Sequence, residues 1–285
     1  MKYRYFLSLT LLLLFLLLFV NVIMKKYSWK IRQFTPVANN SKVTQVSEQE
    51  VRKIETPGRN ERLLYIHMVI IPYLDYIYDS SEEAVMERLE DYKLSLRKNL
   101  AHPLVERIHL LTTNYTETVE GFKEFMQSDK LLVAQVKSVD VLRDPWEYIS
   151  NNLVGKDVMF SNADIYLGKG FEKVDARKRN IMYALSRHLA PEYHKLCNRK
   201  STAFFIGDKC ATYHGSHDIF LFHLDRPLTE KFFEKLNFNT VVLGLESRLI
   251  WLFTNVLNYC VTNPCSILEI FHYHCSDLRT YDCAH

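Results

Sequence analysis

Four apolar runs in the first half of residues 61–285 recur with room for one helix between each pair: residues 63–71, 105–111, 131–136 and 158–160. The first is almost continuous and stops at Pro72, the pattern of a strand buried on both faces. After it, Ser80-Ser81-Glu82-Glu83 offers a capping box. Val85, Leu89, Tyr92, Leu96 and Leu100 then recur at helical spacing, and His102-Pro103 closes that helix. A second helix is predicted around 119–127. A third is predicted from Asp144-Pro145-Trp146-Glu147, which supplies an N-cap and first turn, to near Gly155. Strands that alternate with helices are joined by crossovers and so run parallel. The fold class expected is α/β, a mixed but mostly parallel sheet sandwiched by helices. Further strands are expected at 180–186, 219–224 and 267–274, and an amphipathic helix is marked by Leu245, Leu249, Leu252, Val256 and Tyr259.

Residues 6–24 carry no charge and hold only Ser8, Thr10 and Asn21 as polar side chains. That is close to the roughly 20 residues that span a bilayer as a helix. The run is longer than a usual signal-peptide core, and no small-x-small cleavage site follows it, which favours an uncleaved anchor. The expected organisation is an N-terminal transmembrane anchor over 1–26, a polar stem over 27–60 with Pro36, Pro57 and Gly58, and one domain over 61–285. Lys2 and Arg4 precede the span, but Lys25, Lys26, Lys30 and Arg32 follow it. By charge alone this would leave the C-terminus cytoplasmic.

Charge and cysteine usage bear on partner and compartment. Residues 1–60 hold ten Lys/Arg against three Asp/Glu, a charge of +7, which leaves 26 minus 30, or −4, for residues 61–285. The basic excess lies outside the globular part, so a nucleic-acid partner is not expected. All six cysteines fall in the second half, as disulfides of an oxidising compartment would, and no Cys-x-x-Cys pair suggests zinc. The pairings expected are Cys197 with Cys210 and Cys260 with Cys265. Asn39-Asn40-Ser41 and Asn114-Tyr115-Thr116 fit the glycosylation acceptor pattern. These features point to a lumenal C-terminal domain on a single-pass type II protein of the Golgi or ER membrane.

Polar residues interrupt the apolar pattern at a few places. The run 158–160 ends in Ser161-Asn162-Ala163-Asp164. Ligands of open α/β sheets sit at the carboxyl ends of strands, where a carboxylate can hold a divalent cation and through it a diphosphate, or can cap the next turn. No Gly-x-Gly-x-x-Gly and no phosphate-binding Gly-x-x-x-x-Gly-Lys loop is present, which disfavours dinucleotide and P-loop enzymes. Arg187 and His188 follow the strand at 180–186. Gly215-Ser216-His217-Asp218 precedes the strand at 219–224, where Asp218 is either a general base or a turn residue. Glu246 suits a helix N-terminus and Arg248 does not, so Arg248 calls for a specific partner such as a site carboxylate. His272 and His274 fall on one face of the last strand, where two imidazoles can flank a metal.

These motifs, in this order, resemble a glycosyltransferase-like group with the GT-A (Rossmann-like) nucleotide-sugar fold. The matching pieces begin with Asn99-Leu100-Ala101-His102-Pro103-Leu104-Val105, Ile108-His109-Leu110-Leu111 and Asn162-Ala163-Asp164-Ile165. They continue with Ala184-Leu185-Ser186-Arg187, Gly215-Ser216-His217-Asp218, Gly244-x-Glu246-Ser247-Arg248 and Asn263-Pro264, and end at His272-x-His274-x-Ser276-x-x-Arg279. The resemblance implies transfer of a sugar from a nucleotide-sugar donor to a glycan or glycoconjugate acceptor, with a divalent metal such as Mn or Mg. It implies metal ligation by Asp164 with His272 or His274, and donor contacts from Asn162, Asp164 and Arg187. Asp218 would be the catalytic base, with Glu246 and Arg248 on the acceptor side. Asn162 stands where the Asp-x-Asp metal motif has its first acid, His217 where Gln is usual, and Glu246-Ser247 where Asp-Asn is usual. The alternatives are a catalytically inactive lumenal carbohydrate-binding or scaffolding protein of the same fold, and a metal-dependent hydrolase.

Overall fold

The computed structural model describes residues 64–72, 81–175, 178–193, 197, 209–210, 216–237 and 244–276. The predicted span at 6–24, the stem, the acceptor triplet at Asn39, Ser80, Gly215, Arg279 and Cys283 lie outside these residues. No helix among the described residues is long and apolar enough to cross a membrane.

Strands β1 (Ile66–Ile71), β2 (Val105–Thr112), β3 (Leu131–Gln135) and β4 (Asp157–Asn162) alternate with helices α1 (Glu82–Ala101), α2 (Tyr115–Gly121) and α3 (Arg143–Asn152). The chain continues through β5 (Ile165–Leu167), β6 (Ile181–Leu185), β7 (His188–Leu189) and β8 (Ile219–His223). Helices α4 (Glu230–Phe233) and α5 (Leu245–Asn255) follow, then β9 (Cys260–Thr262) and β10 (Ile270–His272). The main sheet has seven strands in the order β3-β2-β1-β4-β8-β6-β9. The first four are mutually parallel, as the strand–helix alternation requires. Only β8 runs against its neighbours β4 and β6. The class is therefore α/β with a mostly parallel sheet.

Helices cover both faces of this sheet. On one, Leu89, Tyr92 and Leu96 of α1 join Met68, Ile70, Ile108 and Leu110 in a buried cluster. On the other, Trp146 and Ile149 of α3, Phe232 of α4 and Leu252 and Phe253 of α5 pack on Val69, Phe160 and Phe222. Trp146 is fully buried, with ring centroids of Phe160, Phe222, Phe232 and Phe253 all 5.4–5.6 Å away. All six residues of β1 are buried, which is why its sequence is apolar without alternation.

A second sheet, β5-β10-β7, has three short strands. β10 pairs antiparallel with β5, setting His272 opposite Ile165, and parallel with β7. Asn99 of α1 closes the free edge of β5: its amide donates to the Ile165 carbonyl at 2.8 Å and accepts from the Leu167 N–H at 3.0 Å. Gly170, at φ 100°, lets the chain after β5 lie against the approach to β10. A Cβ there would sit 1.8 Å from the Ile267 carbonyl oxygen.

Several expectations shift in detail. The cap of α1 is Ser81, which accepts the Ala84 N–H, rather than Ser80. The second helix starts earlier, capped by Asn114, and passes into a single 3-10 turn at Lys123–Phe125. The third begins at Arg143 without a side-chain cap, leaving Asp144 in its first turn. The last strand spans only Ile270–His272. Both expected disulfides are replaced. Cys197 is bonded to Cys275 and Cys210 to Cys265, while Cys260 is an exposed thiol on β9. Proximity in sequence misled here, because Cys197 and Cys210 each bond a cysteine that flanks β10 rather than each other.

Candidate functional site

The site forms around the carboxyl end of β4. The strand ends at Asn162, and Ala163 and Asp164 form a turn before β5. The turn breaks strand alternation, so Asn162 and Asp164, two residues apart, enter different clusters.

Asp164 is 4 % exposed. Its Oδ2 accepts from Arg88 Nη2 at 2.7 Å and lies 3.0 Å from His272 Nε2 and 3.4 Å from His274 Nδ1. Its backbone carbonyl accepts the Tyr273 N–H at 2.9 Å, so one residue grips both sides of the His-x-His strand end. Burial opposes the charge on Asp164. His272 and Arg88 outweigh it and hold the carboxyl well below the usual carboxylate range. Burial and the charge of Arg88 lower the His274 pKa.

Arg88 and Asp91 were not singled out from the sequence. Arg88 stacks on Tyr92 at 4.5 Å and links Asp164 to Asp91, whose Oδ2 is 3.3 Å from Nη1. Asp91 accepts the backbone N–H groups of Cys275 and Ser276 and the Ser276 hydroxyl, at 3.0, 3.1 and 2.7 Å. It thereby fixes the chain directly after His274. The signal was present in the sequence. Arg88, Asp91, Ser95 and Asn99 repeat at i, i+3, i+7 and i+11, a buried polar stripe beside the apolar one of α1.

Asp164, His272 and His274 each offer a ligand atom, and the three atoms lie within 4.8 Å of one another. Two ligands at right angles around an ion ~2.1 Å away would stand ~3 Å apart, close to the spacing found. One carboxylate and two imidazoles suit Mn²⁺ or Zn²⁺ better than Mg²⁺, which takes mainly oxygen. The residues therefore fit a divalent ion.

Asn162 joins the other cluster. Its side-chain amide donates to Asp218 Oδ1 at 3.5 Å, and the Arg187 guanidinium pairs with the same oxygen. Asp218 is placed by its N–H on the Leu185 carbonyl and by its own carbonyl, which accepts the Asn162 N–H. Asn263 locks the neighbouring turn, accepting the Ser186 N–H at 3.2 Å and donating to Ser186 Oγ at 2.9 Å. Ser186 Oγ donates to the Ser216 carbonyl at 2.6 Å. Glu246 lies in the first turn of α5, after Gly244 in a left-handed conformation. Burial and the adjacent charge of Asp218 push its carboxyl up to about 7, against a hydrogen bond from the His217 N–H and the attraction of Arg187. Among the described residues Arg248 meets no site carboxylate. Its guanidinium lies over Trp251 at 5.2 Å and its Nε donates to the Lys235 carbonyl at 3.4 Å.

No protein-family model and no curated protein matches the sequence. Among solved structures, the chain is similar to the apo-form glycosyltransferase GlyE of Streptococcus pneumoniae TIGR4, at 12 % identity and a TM-score of 0.38. The likeness covers 70 % of this chain and 45 % of that one. It is also similar to GalNAc-T7 crystallised with UDP, GalNAc and Mn²⁺, at 11 % identity and a TM-score of 0.39, over 76 % of this chain and 44 % of that one. The chain thus spans less than half the length of either. Likeness at this level does not fix an activity for the present chain.

Proposed function

We propose that the protein is a membrane-anchored glycosyltransferase that moves a sugar from a nucleotide-sugar donor to a glycan or glycoconjugate acceptor. The observation that carries this reading is the set Asp164, His272 and His274, gathered at the carboxyl end of a central strand, with ligand atoms within 4.8 Å. An ion held there would neutralise charge on a departing nucleoside diphosphate. Around it, Arg88 and Asp91 hold the ligand residues in place. Arg187 and Asn162 gather on Asp218 at the same strand end, where they would contact donor phosphate or ribose. Sugar and acceptor would meet between the two clusters.

The anchor over residues 6–24 and a lumenal location in the Golgi or ER belong to the same proposal. Support comes from the uncharged run and from two disulfides, which suit an oxidising compartment. Asn114 is exposed at the cap of α2, so glycosidase sensitivity at Asn114 would locate the domain.

The test is thermal melting of the full chain in detergent with UDP, GDP and CMP, with and without Mn²⁺. A manganese-dependent rise with at least one nucleotide is expected, and no rise with any of them refutes donor binding. One contact favours a second reading, a non-catalytic module with the same fold: Arg88 already neutralises Asp164. Under that reading Asp218→Ala would leave glycan products in cells unchanged.

A further inference from the structure

We propose that Glu246, and not Asp218, takes the proton from the attacking hydroxyl, while the Asp218–Arg187 pair positions the loop beside it. This rests on the transferase reading above. Neither oxygen of Asp218 is available to a ligand. Oδ1 accepts from both Arg187 and Asn162, and Oδ2 is buried without a hydrogen-bond partner among the described residues. Asp218 as a whole is 4 % exposed. Glu246 differs on both counts: its side chain is partly open, and no cation is paired with it among the described residues. It is fixed by the His217 N–H and by its place in the first turn of α5.

The charged groups around Glu246 set its proton affinity. Burial and Asp218 raise it, and Arg187 and the His217 N–H lower it, for a balance near neutrality at about 7. A carboxylate so poised is half-ionised where a general base works best. In the step itself, a bond forms between the acceptor oxygen and the anomeric carbon of the sugar. The bond from that carbon to the diphosphate oxygen breaks, and its electron pair leaves on the nucleoside diphosphate. The hydroxyl proton passes to a carboxylate oxygen of Glu246, which becomes the neutral acid.

The experiment measures release of UDP or GDP from a panel of UDP- and GDP-hexoses by the full chain with Mn²⁺. Water stands in for the acceptor, pH runs from 5 to 9, and nucleotide-induced melting shifts are recorded alongside. The wild-type rate should rise with pH around a midpoint near 7. Glu246→Gln should lower the rate roughly 10²–10⁴-fold while keeping its nucleotide melting shift, and Glu246→Asp should restore part of the rate. Asp218→Asn should keep the rising limb but move it to lower pH, because the charge opposing ionisation of Glu246 is gone. The proposal is overturned by a Glu246→Gln rate within about threefold of wild type. Loss of the limb in Asp218→Asn, or a wild-type chain that binds nucleotide but hydrolyses no donor, overturns it equally. Should Glu246→Gln not fold, the wild-type limb and Glu246→Asp still decide. Absence of nucleotide binding by wild type would instead sink the transferase reading and this proposal with it.

Discussion

Asn162 and Asp164 are separated by one alanine, yet they stand in clusters that pair their charges differently. Each cluster sets one arginine against two carboxylates, and around Asp164 both of them are paired with it. Arg88 bridges two buried carboxylates, and two imidazoles complete the shell. Around Asn162 only one carboxylate is so paired, since Arg187 pairs with Asp218 and leaves Glu246 to be pushed up to about 7. The first cluster is built to hold a fixed charge and the second to change its charge. A metal-assisted transfer needs one of each, a stable anionic ligand for the ion and a group that accepts a proton.

The largest expected effect breaks the Asp164 cluster. Asp164→Ala takes from buried Arg88 its 2.7 Å partner, leaving it Asp91 at 3.3 Å, and should cost up to about 3–5 kcal/mol in urea unfolding. A loss under about 1 kcal/mol would mean the pair is not the centre of that cluster. Next comes Glu246→Gln, read as stability against pH. Because the folded carboxyl titrates above its ordinary value of 4.5, the folded state holds more protons between 4.5 and about 7. Wild-type stability should therefore fall as pH rises through that window, by up to about 3 kcal/mol. The variant should escape this loss and be the more stable form at pH 8, with equal slopes the contrary result. Asp91→Asn weakens the grip on Cys275 and Ser276 and should cost about 1–3 kcal/mol, together with weaker manganese binding. If manganese affinity does not change, Asp91 does not position His274. Arg248→Ala belongs to neither cluster and should change stability by about 0.5 kcal/mol or less. A large loss of donor turnover in that variant would return Arg248 to the site.

The sheet was legible because burial on both faces writes itself as uninterrupted apolar runs, and crossovers force those runs parallel. Asp164 and the two histidines were legible as ligand types at a strand end and on one strand face. Their meeting depends on β10 pairing with β5, a long-range register that no local pattern encodes. Arg88 and Asp91 were hidden in a helix whose polar residues resemble a solvated face until the second sheet covers them. The cysteine connectivity was beyond reach for a related reason. Six cysteines allow 15 pairings, and only the tertiary fold selects among them. The division of Asn162 from Asp164 rests on where β4 gives way to a turn, and sequence patterns place such boundaries poorly.

The central claim is that the end of β4 holds a nucleotide through a divalent ion. Calorimetry of the full chain with UDP and GDP, with and without Mn²⁺, tests it most directly when repeated on His274→Ala, which leaves the Asp164–Arg88 pair intact. The account predicts nucleotide binding that requires manganese and weakens about 10–100-fold in the variant. Binding indifferent to both manganese and His274, or no binding of either nucleotide, would contradict it.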